Sequence, residues 1–278
     1  MGHHGAAGAG AQRRRVAVAL VVRDLCKTFH KGTADERRAL DSVSLSIADG
    51  DFVVVIGSNG SGKSTLLNTI SGQLRHDGGS ISVAGAEVSD EPEHVRAALI
   101  ARVLQDPLRG TLPSMTIEEN LALADMRHRG RTLAPALTDS RRKRFVEALA
   151  GFGLGLEARL ASVVGLLSGG QRQVLALAMA VLNAPRVLLL DEHTAALDPR
   201  TADLVMQSTV TAVRGARLTT LMVTHNMQHA IDYGNRLVMM DSGKVRLDLS
   251  GAEKSSLTVA ELVRRFHLSD DKMLLARA

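Results

Sequence analysis

Three short segments hold residue types that do phosphate chemistry. Gly57-Ser58-Asn59-Gly60-Ser61-Gly62-Lys63-Ser64, followed by Thr65, has the spacing of a phosphate-binding P-loop. Glycines let a backbone wrap a phosphate with its amide N–H groups, and a helix starting there adds its N-terminal dipole. Lys63 is then placed for β- and γ-phosphates and Ser64 for a Mg²⁺ ion, so the expected ligand is a nucleoside triphosphate. The bland alternative is a Gly/Ser-rich surface turn. Val187-Leu188-Leu189-Leu190-Asp191-Glu192 ends an apolar run in two carboxylates. Asp191 would hold Mg²⁺, directly or through water, and Glu192 would polarise an attacking water, because phosphoryl transfer needs an oriented nucleophile more than covalent help. Two solvated acids capping a strand are the alternative. Leu167-Ser168-Gly169-Gly170-Gln171 is a second small-residue turn at a helix start, a phosphate binder by the same dipole argument.

The elements that must position these residues alternate in type. Ser42 to Ile47 alternates with the period of a strand, and Asp49-Gly50-Asp51 supplies a turn. Phe52 to Ile56 is an unbroken apolar run, suited to a parallel strand covered on both faces, and Ser64 to Leu74 reads as the helix after the glycines. Asp77-Gly78-Gly79 and the alternation through Val83 add a hairpin, after which the chain reads as helical and polar from about Gln105 to Leu166. Gln171 to Leu182 reads as a helix, Val187 to Leu190 as a strand, Pro199 to Val213 as a helix and Leu218 to Val223 as a strand. Thr258 and Glu261 fit a capping box for a last helix to about His267. Such alternation implies a parallel sheet with helical crossovers.

Composition narrows the class. The 278 residues carry 34 Lys+Arg against 29 Asp+Glu, with 45% hydrophobic residues but only five Phe, one Tyr and no Trp, so the core must be aliphatic. A fibrous or largely disordered chain is excluded, and one cysteine, Cys26, makes no internal disulfide, which points to the cytosol. No stretch approaches the ~18 apolar residues of a membrane span. Residues 1–15 read as a flexible tail; Gly2 suggests myristoylation, but Ala6 stands where Ser or Thr is wanted. The basic excess gathers between Arg127 and Arg144, where seven Lys and Arg meet one acid, Asp139. Without interleaved aromatics this run does not suggest nucleic acid. It reads as a solvated helical face, with contact to anionic lipid or a membrane partner as the alternative.

Taken in order, the P-loop, Gln105 in Leu104-Gln105-Asp106-Pro107, LSGGQ, Asp191-Glu192, Ala196-Leu197-Asp198 and Thr224-His225 resemble the ATP-binding subunit of an ABC transporter, over about 16–249. The resemblance implies an α/β fold: a P-loop NTPase core with a mostly parallel sheet, an antiparallel β subdomain and an inserted α-helical subdomain at about 105–182. The ATPase domain would cover 16–250 and a C-terminal helical extension 251–278. It further implies ATP and Mg²⁺, held between two subunits so that Ser168, Gly169, Gly170 and Gln171 of one act on the nucleotide of the other. Gln105 would join Ser64 and Asp191 at the metal and sense the attacking water. Glu192 and His225 would be catalytic, and Asp198 would lie at the dimer interface while also capping a helix before Pro199. Phe29 resembles the aromatic that stacks on adenine, with an ordinary core residue as the alternative. Implied partners are a second ATPase subunit, integral membrane permease subunits and indirectly a substrate-binding protein, with the chain peripheral at the cytoplasmic face of the plasma membrane.

The wording also departs from the family. His193 follows Glu192 where the family usually has proline, and an imidazole there would either alter the carboxylate's ionisation or face the interface. His225 and His229 have zinc-pair spacing but no third ligand nearby. Leu160 to Leu166 lacks the Glu-Arg-Gly element of many exporters, which favours an importer with separate membrane subunits. DEHTAALDP, Thr224-His225-Asn226-Met227 and Tyr233-Gly234-Asn235-Arg236 resemble ATPases of bacterial importers that use a separate binding protein, some assigned to aromatic amino acids. A stand-alone ABC ATPase in cofactor assembly is the alternative.

Overall fold

The structure, a computed structural model, describes residues 17–126 and 135–265. The tail at 1–15, the segment 127–134 of the basic run and the chain from 266 onward, His267 included, lie outside the described residues. In chain order, β1 (Val18–Phe29) and β2 (Arg37–Ala48) lead to β3 (Phe52–Gly57), α1 (Lys63–Ser71), β4 (Gly78–Val83), β5 (Ala86–Glu87), α2 (Glu93–Arg96) and β6 (Ile100–Val103). Helices α3 (Ile117–Met126), α4 (Asp139–Ala150) and α5 (Gly169–Val181) precede β7 (Val187–Asp191), α6 (Pro199–Gly215) and β8 (Thr220–Val223). Then come α7 (Met227–Asp232), β9 (Arg236–Asp241), β10 (Lys244–Ser250) and α8 (Gly251–Ser255), with a further helix over 259–265.

The strands form two sheets. One is antiparallel with order β2-β1-β4-β5; the other has order β10-β9-β3-β8-β7-β6 and is parallel except for β10. The run in β3 is unbroken because both faces are covered: Val53 and Val55 join the core between the sheets with Leu45, Ile47, Leu66 and Ile70, while Val54 and Ile56 join the opposite layer with Met206, Leu237 and Leu177. Helix α1 is therefore packed between the two sheets. It ends at Ser71, short of the expected Leu74, because Gly72 takes φ +86° and returns its N–H to the Thr69 carbonyl. The edge strand β6 and the pair β9–β10 are additions to the sequence-based expectation.

A third core, built on Ile117, Leu121, Phe145, Leu149, Leu167 and Val174, holds α3, α4 and α5 together. In the described part of the basic run Arg142 and Lys143 are exposed, as on a solvated face, whereas Arg141 and Arg144 reach a buried carboxylate. Asp125, 1% exposed on its side chain, lies 2.5 Å from Arg144 Nη1 and 3.4 Å from Arg141 Nε. Arg144 Nη2 also donates to the Leu182 carbonyl and to Asn183 Oδ1, and Arg142 Nε lies 2.8 Å from Glu118. Arg141 and Arg144 thus clamp α4 to the buried end of α3, and Arg144 also holds the chain just beyond α5. No helix among the described residues is long and apolar enough to cross a membrane.

Candidate functional site

Because β3, β8 and β7 are adjacent and parallel, the segments that leave their carboxyl ends share one rim of the sheet, where such sheets place ligands. From β3 the chain enters the glycine loop. Gly62 adopts φ +104°, and a Cβ there would overlap the Ala39 carbonyl; a Cβ on Gly57 would overlap the Met240 carbonyl. Ser58 is half-buried and Asn59 and Gly60 are exposed, while Ser61, Gly62 and Lys63 are buried beneath them; Ser64 is exposed and Thr65 half-buried in the first turn of α1. Lys63 Nζ donates to the Gly57 and Ser58 carbonyls at 2.8 and 2.9 Å. Burial pulls its ammonium below the ordinary lysine range, opposed by the charges of Glu192 and Asp191, so both carboxylates lie within its electrostatic reach. The loop is braced from two sides, by Gly243 N–H on the Ser61 carbonyl and by Arg37 Nη2 on the Gly60 carbonyl.

Asp191 closes β7 and Glu192 follows it at φ +44°, a left-handed conformation that costs a non-glycine residue about 1–3 kcal/mol. The Glu192 N–H donates to the Val223 carbonyl at 3.0 Å, and its Oε2 lies 3.4 Å from Nδ1 of His225, which leaves β8 through Thr224. Asp191 and Gln105 share the wall of a cavity of about 280 Å³ with Asn68, Arg102 and Arg109. The hydroxyl of Ser64, the amide of Gln105 and the carboxylate of Asp191 offer oxygen ligands, the donor set that suits a hard Mg²⁺ ion.

His193 takes neither expected position. It is 2% exposed, and its Nε2 lies 3.0 Å from Thr209 Oγ1 on α6. The Thr209 hydroxyl spends its one hydrogen on the Val205 carbonyl, so the histidine is the donor and carries its proton on Nε2. Burial, helped by His229, lowers its pKa to about 4. The imidazole ties the loop after Glu192 to α6.

Ser168 caps α5: its Oγ accepts from Gln171 N–H and Gln171 Oε1 accepts from Ser168 N–H, a closed capping box. Gly169 and Gly170 pack the turn against Leu197 and Thr201, and a Cβ on Gly170 would overlap the Thr201 methyl. Asp198 caps α6 through Thr201 N–H, which with the Thr201 hydroxyl holds its carboxyl below the usual range. The turn 168–171 does not line the cavity beside Asp191. Phe29 ends β1 half-buried, outside the three cores, with Lys27 Nζ 5.9 Å from its ring centroid, so the core alternative does not hold. Sequence reasoning passed over Arg37 and Arg102; the second has its carboxylate partner 89 positions away, which no local pattern reveals.

Known proteins resemble this chain over most of its length. The family described as "ABC transporter" matches residues 40–195. The tyrosine transport ATP-binding protein of Clostridioides difficile (strain R20291) is 44% identical over 89% of this chain and 98% of its own length. The aliphatic sulfonates import ATP-binding protein SsuB of Cupriavidus necator is 35% identical over 86% of this chain and 72% of its own length. The lipoprotein-releasing system ATP-binding protein LolD of Ruegeria pomeroyi is 35% identical over 79% and 93%. Among solved structures, a dimeric post-hydrolysis ATP-binding cassette bound to ADP and Pi aligns with TM-score 0.71 at 30% identity, over 83% of this chain and 98% of that one.

Proposed function

That the chain belongs to the ABC transporter family, as an ATP-hydrolysing subunit with the cassette fold, is the premise from which we propose its role in detail. Cassettes of this family dimerise and pair with membrane permease subunits. The protein works as a homodimer at the cytoplasmic face of the plasma membrane and powers import of a small solute, an amino acid such as tyrosine, delivered by a separate substrate-binding protein. The observation that carries the ATPase roles is the convergence of Lys63, Asp191, Glu192 and His225 on the rim shared by three parallel strands.

Residues 16–250 act as the ATPase domain, with 105–182 as its helical insertion and 251–278 as an extension. Phe29 stacks on adenine, and Gly57 to Thr65 cradle the phosphates with Lys63 at the β/γ bridge. Glu192 takes a proton from water as the water oxygen attacks the γ-phosphorus and the bond to the leaving ADP oxygen breaks; His225 holds that carboxylate and the γ-phosphate in place. Ser64, Asp191 and Gln105 would hold Mg²⁺, which neutralises charge on the β- and γ-oxygens when bound. Ser168, Gly169, Gly170 and Gln171 act on the partner subunit's nucleotide, and Asp198 lies at the interface between the two.

The relatives support import, with the tyrosine, sulfonate and phosphonate proteins named for transport or import. The lipoprotein-releasing relatives support a second reading, export of lipoprotein. Isolation of the tagged subunit from native membranes tests both. An integral membrane partner whose complex hydrolyses ATP faster with tyrosine and its binding protein supports the proposal. Stimulation by lipoprotein favours the second reading, and recovery of soluble partners alone favours a non-transport role.

A further inference from the structure

Arg102 stands in the edge strand β6, three positions before Gln105, with its side chain 11% exposed. Its guanidinium reaches three elements. Nη2 donates to Asp191 Oδ2 at 2.5 Å at the end of β7, while Nη1 donates to Asn68 Oδ1 of α1 at 2.6 Å and to Gln73 Oε1 just beyond α1 at 2.7 Å. Gln73 in turn donates to Glu93 Oε1 of α2. The Nε atom is buried with no hydrogen-bond partner, so the fork end alone fixes the group. A planar, always charged fork can serve these acceptors together; a lysine ammonium on a flexible stem cannot match that geometry.

The far end of the strand is tied as well. The Leu104 carbonyl, immediately before Gln105, accepts from Nε2 of the fully buried Gln173 in α5. Strand β6 thus joins the helix that starts at Ser168 to the carboxylate of β7 and to the P-loop helix. Only Oδ2 of Asp191 is used by Arg102, which leaves Oδ1 to a metal ion or its water.

On the reading of Asp191 as the metal-facing carboxylate, we infer that Arg102 is a positioning residue for ATP hydrolysis. It holds Asp191 in the orientation that Mg²⁺ needs and couples that carboxylate to the strand running into Gln105. Partners that orient a metal ligand are typically worth 10–100-fold in metal affinity or activity.

The test compares the full-length protein with Arg102→Met and Arg102→Lys, first by thermal unfolding to show that each is folded. Binding of a fluorescent ATP analogue is then measured in EDTA and across a Mg²⁺ titration, followed by kcat and KM. For Arg102→Met the Mg²⁺ concentration at half-effect rises about tenfold and kcat falls, while affinity in EDTA stays within about twofold; Arg102→Lys recovers part of the loss. An unchanged Mg²⁺ requirement in folded Arg102→Met overturns the inference. So does a tighter one, which would make the arginine a competitor for the carboxylate. An equal loss in EDTA and in Mg²⁺ also overturns it, because Arg102 would then only brace the P-loop. If Arg102→Met does not fold, Arg102→Lys decides: a Mg²⁺ requirement raised severalfold supports the inference and an unchanged one overturns it. Wild-type protein that binds no ATP analogue in either condition would sink the reading of the site itself rather than the role of the arginine.

Discussion

Replacing His193 with methionine should make the protein less stable at neutral pH and more stable in acid. At pH 7 the variant loses the hydrogen bond to Thr209, whose hydroxyl still donates to the Val205 carbonyl, so the loss is about 0.5–1.5 kcal/mol. Acid reverses the order. His193 is held near 4 in the folded protein against 6.5 for an ordinary histidine, so the unfolded chain takes the proton first. Wild-type stability from this group is therefore complete above about pH 6.5 and is lost as pH falls toward 4. A gap of about two and a half pH units is worth about 3 kcal/mol, which the methionine variant does not lose. The two stability curves should cross between pH 6.5 and 4, with the variant ahead by about 2 kcal/mol at the acid end. Other acid-titrating groups, His229 among them, are common to both proteins and largely cancel in the difference. With no Trp and one Tyr, the assay is urea unfolding followed by far-UV circular dichroism at a series of pH values. Parallel curves from pH 7 to 4.5 would show that His193 titrates as a solvated imidazole and would refute its place under the loop.

Two further changes probe the scaffold and the loop. Asp125→Ala removes the buried carboxylate from Arg144 and Arg141, while Arg144 keeps the Leu182 carbonyl and Asn183, and should cost about 1.5–3 kcal/mol in urea unfolding; a loss under about 0.5 kcal/mol would mean that the arginine clamp contributes nothing. Gly62→Ala must tolerate φ +104° and displace the Ala39 carbonyl, so ATP affinity by isothermal titration should fall at least about tenfold, and wild-type affinity would show that the loop relaxes freely.

What could be seen in the chain was chemistry confined to a few consecutive residues. The glycine loop lies within eight positions, and the acids of β7 follow directly on the apolar run that predicts a buried strand. What could not be seen depends on partners brought together by topology. Strand β6 is only four residues long and has a charged residue inside it, so Ile100 to Val103 carries no strand period of its own. Its arginine becomes intelligible only once β6 lies beside β7 and over α1. The acids that Arg141, Arg142 and Arg144 meet, Glu118 and Asp125, were hidden for a similar reason: they lie upstream of Arg127, outside the stretch whose charge looked unbalanced. His193 stood out as a departure, yet its place could not be read, because its acceptor lies 16 residues on, across a helix not yet folded against the loop.

The order of strands also acts as a ruler. Strand β8 intervenes between β3 and β7, so the mouth of the P-loop and the end of the carboxylate strand are separated by two inter-strand spacings, about 10 Å. The Lys63 side chain crosses part of that interval from the P-loop side, because the charges of Glu192 and Asp191 reach its ammonium. Backbone pairing thus sets the interval across which the rim's side chains reach toward one another, and no substitution among them alters it.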